Sequence, residues 1–271
     1  MQYLASLAIA LVLLTACGNA DTPEAAPPTE NWQDLFNGQD LTGWTIKMSG
    51  RELGENYLNT FAVEDGMLRI KYAEYDSFRN EYGHIYYEQP YSNYRLRFEY
   101  RFTGEQTPGG ATWNVRNSGV MLHSQSAASN EFDQDFPVSI ELQLLGGLSN
   151  GEARTTGNVC TPGTAVMMGD TINYQHCISS SSRTYDGDRW VKAEAIVNGG
   201  ESMHFLIEGD TVLSFQQPLV ASLDMTQEVE AFGLSASWVE KNGQKLPTGY
   251  IALQAESHPI DFRNIQLLEL R

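Results

Sequence analysis

The stretch Tyr94-Arg95-Leu96-Arg97-Phe98-Glu99-Tyr100-Arg101-Phe102 alternates a bulky apolar side chain with a charged one along its whole length. A period of two belongs to an extended chain, whose successive side chains leave on opposite faces. One face of this segment is therefore buried and the other wet, as in an antiparallel sheet that packs on a core from one side.

The same period recurs on both sides of it, at residues 138–145, 191–197, 203–207, 251–253 and 262–270. Turn-forming clusters separate these runs: Glu64-Asp65-Gly66, Asn198-Gly199-Gly200, Glu208-Gly209-Asp210 and Lys241-Asn242-Gly243. No long stretch of period 3.6 competes with them, and no short internal repeat suggests a propeller. The expectation is an all-β chain, an antiparallel sandwich or jelly roll of two sheets. It occupies residues 31–271, a length suited to one large all-β domain.

Ahead of the domain, residues 3–16 read YLASLAIALVLLTA. This apolar run is too short for a bilayer span, which needs roughly 20 residues. It has the length of a signal-peptide core and ends on small residues before Cys17. Residues 1–17 are thus expected to be a lipoprotein signal with its lipidated cysteine, although no Lys or Arg precedes the core. Residues 18–30, with three prolines and no large apolar side chain, read as a tether that cannot offset its ordering entropy. The expected location is outside the cytoplasm, with the chain lipid-anchored at Cys17. Gly18 rather than Asp follows the cysteine, which favours the outer membrane over retention at the inner one.

The net charge of -17 opposes a nucleic-acid or anionic-lipid surface, since phosphates would be repelled. A neutral or cationic partner fits better. In an oxidising compartment, Cys160 and Cys177 are expected to form a disulfide. A zinc site is the alternative, but it lacks a second cysteine pair or a spaced pair of histidines.

Alternation also assigns side chains to faces. Val138, Ile140, Leu142 and Leu144 point inward, which turns Ser139, Glu141 and Gln143 outward. Val120 and Leu122 take the core side, leaving Met121 and His123 opposite. Ile251 and Leu253 go in, so Gln254 and Glu256 come out. If these strands are neighbours, His123, Glu141, Gln143, Gln254 and Glu256 share one polar face, and a curved sheet makes that face a groove. Carboxylate, amide and imidazole groups together suit hydroxyl recognition and proton transfer. Each of them alone is an ordinary solvated strand residue. Trp113 and Arg116 add a stacking face and a donor fork for a sugar, while Trp113 is equally suited to packing a loop. Arg154 and His176 read as surface polar residues.

The segment Leu35-Phe36-Asn37-Gly38-Gln39-Asp40-Leu41-Thr42-Gly43-Trp44 resembles the opening signature of the 3-keto-disaccharide hydrolase family. Asn117-Ser118-Gly119-Val120, Ile140-Glu141-Leu142-Gln143, Gly249-Tyr250-Ile251-Ala252-Leu253-Gln254 and Phe262-Arg263-Asn264-Ile265 continue the likeness in order, from about Trp32 to Leu270. The resemblance implies a concanavalin A-like jelly roll that cleaves the glycosidic bond of 3-keto-glycosides, by hydrolysis or by elimination and hydration. The ketone at C3 acidifies the hydrogen on C2; its removal gives an enolate that expels the group on C1.

In that setting His123 or Glu141 is the candidate base, and Arg116 the candidate enolate stabiliser. Gln143 and Gln254 are expected to orient the sugar, with Glu256 and Trp113 completing its surface. A divalent cation held by His123 and Glu141 is a further candidate for the stabilising charge. A sugar oxidoreductase would act upstream. One departure is Ser257-His258-Pro259, where relatives carry His-Gly, so a role for His258 does not transfer. The segment 157–177 is an elaboration that either caps the groove or braces a loop. Two other readings stand beside this one. The first is a non-catalytic carbohydrate-binding lipoprotein, since one fold hosts both lectins and enzymes. The second is an ordinary glycoside hydrolase, whose second acid would come from another strand, such as Glu256.

Overall fold

The alternating segment forms the strand Asn93–Phe102, and Tyr94, Leu96, Phe98, Tyr100 and Phe102 are all buried. In the computed structural model, which describes residues 30–270, this strand lies between Val191–Asn198 and Ile260–Glu269 in an antiparallel sheet of 11 strands. The signal segment, Cys17 and the tether up to residue 29 lie outside the described residues.

A second antiparallel sheet of seven strands faces the first. Its order is Cys177–Ile178, Asn158–Cys160, Ile140–Leu145, Asn117–Ser124, Tyr250–Ala255, Gly83–Tyr87 and Trp44–Met48. The apolar sides of both sheets meet in one core that includes Leu96, Phe98, Val120, Leu122, Leu142, Leu253 and Phe262. Each such buried side chain contributes about 1.5–3 kcal/mol, so the face assignments are energetically enforced. The architecture is the two-sheet jelly roll expected from the alternation. Cys160 and Cys177, directly paired across two short strands, are joined by the expected disulfide.

Two features were not legible as periodicity. The helix Met225–Phe232 spans only eight residues, too few for a period to stand out. The Asp224 side chain caps it by accepting from the Thr226 and Gln227 amides, and Gly233 ends it in the left-handed region at φ 64°. The other is a bulge in Asn117–Ser124. Met121 pairs with Ala252 but Ser124 pairs with Tyr250, and His123 has φ 46°. Strict alternation, which put His123 on the Met121 face, fails at this point.

Candidate active site

On the side of the seven-stranded sheet away from the core, residues fall into cross-strand rows. Gly119 pairs with Gln143, which pairs with Asn158; Met121 pairs with Glu141, which pairs with Cys160. Asn117 pairs with Leu145. Gly119 has no side chain, and Glu141 leans into the space this leaves: a β-carbon at Gly119 would stand 2.6 Å from Glu141 Cγ. Above these rows is a cavity of about 560 Å³. Asn117, Glu141, Gln143 and Glu256 line it, with Trp113, Phe136 and Phe232 as aromatic walls and Arg154, His176 and the disulfide completing it.

Glu256 directly follows the strand Tyr250–Ala255. The next residue, Ser257, has φ 77° and donates its amide to Tyr72 Oη at 2.8 Å, which fixes the chain's exit. Glu141 and Glu256 are both buried, and Glu256 Oε2 has no hydrogen-bond partner. Burial pushes the Glu141 carboxyl up to about 8. Burial, reinforced by the charge of Glu141, raises Glu256 well above the ordinary carboxylate range. Both carboxyls are therefore held toward the protonated form at neutral pH, burial being the main cause.

Around this pair the side chains are held in place. Trp113, 54% exposed, is stacked on Tyr82 at 6.1 Å, and Tyr82 also packs on Phe136 and accepts from Asn114 Nδ2. Gln143 Oε1 accepts from Asn158 Nδ2 at 3.0 Å, which orients its amide so that the NH₂ end is left for a ligand. Arg154 Nη1 donates to Gly146 O at 2.6 Å. The His176 ring stacks on Phe232 at 5.5 Å. Buried polar atoms without partners gather in and beside this region: Asn117 Oδ1, both amide atoms of Gln254, Glu256 Oε2, both ring nitrogens of His258, and His84 Nε2. Buried polar groups are ordinarily bonded, so such a concentration is what a polar ligand or ordered water would complete.

The structure brings Trp113, Glu141, Gln143 and Glu256 to one cavity that three other expected residues do not line. His123 is turned by the bulge into the sandwich interior, against the Tyr94 ring. There its Nδ1 lies 2.8 Å from Leu246 O and its Nε2 3.1 Å from Ser92 O. It cannot act on a ligand at Glu141. Arg116, at φ 48°, gives its guanidinium to Asp188 Oδ1 and Gly187 O rather than to the cavity. Gln254 shares the face of Glu141 and Glu256 but is fully buried, its position pairing with His84, and it is not among the side chains lining the cavity.

The cation held jointly by His123 and Glu141 also loses its donor set, because the two side chains lie on opposite faces of the sheet. Among the described residues, no group of three or more His, Cys, Asp or Glu could hold a metal.

Conversely, Arg154 and His176, read as surface residues, stand in the cavity wall, and so does Asn117, which was not singled out. The last was findable, since it lies two residues from Gly119 on the outward face. His258 is buried against Phe102, and burial together with the Arg116 charge pushes its imidazole down to about 4. The segment 157–177 walls the cavity through its disulfide.

Two solved structures from Parabacteroides distasonis ATCC 8503, each described as a candidate glycosyl hydrolase, share the fold. One is 20% identical at a TM-score of 0.53, covering 89% of this chain and 94% of that one. The other is 16% identical at a TM-score of 0.50, covering 89% and 100%. No curated protein gives a significant match. Residues 31–268 match the model of a family described as a 3-keto-alpha-glucoside-1,2-lyase-like domain, and the chain belongs to that family.

Proposed function

With that membership as the premise, we propose that this chain cleaves the glycosidic bond of 3-keto-glycosides in the cavity of Glu141 and Glu256. The observation that supports this reading is the buried carboxyl pair on one cavity, in which one carboxyl can take a proton once it ionises while its neighbour, held protonated by burial, can give one.

Glu141, in its ionised form, takes the proton from C2 of the keto sugar. The C2–H electron pair becomes the C2=C3 bond and the carbonyl π pair moves onto the C3 oxygen, giving an enolate whose charge the Arg154 guanidinium offsets. The enolate then collapses, the C1–O bond breaks, and the Glu256 carboxylic acid protonates the departing oxygen. The sugar leaves as an enone, to which water adds for net hydrolysis. A proton passed from Glu141 to Glu256 resets the pair. Trp113 supplies the stacking face and the Gln143 amide orients a hydroxyl.

The same pair favours one second reading, ordinary glycoside hydrolysis, for which Glu256 is the second acid beside Glu141. The purified protein is to be incubated with a glucoside and with its 3-keto derivative, and release of the C1 group followed. Cleavage of the keto sugar alone supports the first reading. Cleavage of the plain glucoside sinks it in favour of the second, and binding without release makes the protein a carbohydrate-binding module.

The proposal extends to place and supply. The substrate is made by a sugar oxidoreductase that introduces the ketone, and the enzyme works outside the cytoplasm, anchored by lipid on Cys17. Cys17→Ser should move the protein from the membrane to the soluble fraction; unchanged fractionation would refute the anchor.

A further inference from the structure

A second cavity, of about 430 Å³, adjoins the first, and the stacked rings of His176 and Phe232 belong to the walls of both. Its lining is hydroxyl-rich, with Thr161, Thr164 and Ser222, and it includes Gln227 and Glu228 of the helix Met225–Phe232. Each Glu228 oxygen accepts one bond, from the Gly163 amide at 3.0 Å and from Ser222 Oγ at 3.1 Å. This carboxylate therefore ties the helix to the loop opposite and keeps acceptor capacity for a sugar hydroxyl.

Exposed aromatic rings are the natural stacking faces for sugars, because they offer flat apolar area that water solvates poorly. Trp113 in the first cavity and Tyr174 in the second are two such rings, 54% and 40% exposed, one on each side of the His176–Phe232 stack. Tyr174 lies on the segment that leads from the strand Thr171–Asn173 to Cys177, whose disulfide to Cys160 pins it beside Glu141. Covalent attachment of this segment to the floor of the first cavity keeps the second platform in reach of the first.

We propose that Tyr174 is a specificity-determining residue: the platform for a sugar unit joined to C1 of the keto sugar, held in the second cavity while the keto sugar lies over Trp113. This rests on the proposed function for which unit is cleaved. It does not rest on it for the existence of two platforms.

The test is equilibrium binding to the Glu141→Gln protein, which holds ligand without turning it over. The probes are the methyl 3-keto-glucosides of both anomers and the 3-keto derivatives of maltose and cellobiose. At least one disaccharide is expected to bind about tenfold more tightly than the methyl glucoside of the same anomer. Adding Tyr174→Ala should close that gap. Adding Gln227→Trp, on the exposed side of the helix, should close it too by filling the cavity. Equal affinities at the outset, absence of binding, or a gap that survives either substitution overturns the inference. Cleavage is not read here, so a protein that shows the gap but never releases its C1 group keeps this inference and loses the enzymatic one.

Discussion

Gly119 and Glu141, on adjacent strands, share one volume: a β-carbon on the glycine would stand 2.6 Å from Cγ and 2.8 Å from Cδ of the glutamate. The glycine is there because the carboxyl needs the space, and its backbone has no positive φ to require it. Gly119→Ala should therefore push Glu141 off its seat. We expect a loss of roughly a hundredfold in kcat/KM on a 3-keto-glucoside, with about 1–3 kcal/mol of stability lost to overpacking. Turnover together with a urea midpoint checks this; full activity would mean that Glu141 is not held by this fit.

The raised proton affinity of Glu141 has a consequence for stability. The carboxyl ordinarily ionises near 4.5 and in the folded chain at about 8. Between those values the folded state keeps a proton that the unfolded state releases, so stability is fully present below about 4.5 and is lost as pH rises through 8. Glu141→Gln should flatten this decline, by on the order of a few kcal/mol between pH 5 and pH 8. Denaturant unfolding at the two pH values measures it, and parallel slopes for both proteins would contradict it. In the native protein, kcat/KM should rise toward pH 8 as Glu141 ionises.

His123 should behave as a structural residue. Its ring nitrogens face the Leu246 and Ser92 carbonyls, and burial lowers its proton affinity, so the neutral ring is favoured. His123→Ala should cost about 2–3 kcal/mol through the one carbonyl that loses its donor and the space the buried ring leaves. Folded variant protein should keep kcat within roughly threefold, because no step of the chemistry passes through the ring. A large loss of kcat with an unchanged melting temperature would return His123 to the active site.

The disulfide closes a separation of 17 residues. Its removal in Cys160→Ala/Cys177→Ala should cost about 3 kcal/mol. For a domain of this size that corresponds to a fall of roughly 5–10 °C in Tm. The loss should be accompanied by weaker substrate binding, since His176 adjoins Cys177 in the cavity wall. Thermal unfolding with and without reductant reads the first effect and titration with substrate the second. A Tm insensitive to both would show that neighbouring strand pairs already hold the segment.

Alternation alone places Glu141, Gln143 and Glu256 on one side of the sheet, because side-chain direction in a regular strand is a local property. It failed at His123, where one bulge residue reverses the direction and no nearby residue type announces it. Arg116 failed differently. Its partner Asp188 lies 72 residues along the chain, so nothing near it tells which carboxylate will take the guanidinium. Arg154, His176 and Asn117 were missed or discounted because a cavity is a relation among strands, a helix and a loop far apart in sequence.

The two-sheet fold, the core and the cysteine pairing follow from short-range periodicity and the scarcity of thiols. Which outward residues face one another is set by how distant strands, the helix and the loop pack together. That packing brought Glu256 to Glu141 in a site dry enough to raise both proton affinities, and took His123 and Arg116 away. Desolvation and charge proximity, on which the proposed chemistry depends, come from three-dimensional packing that no single strand encodes.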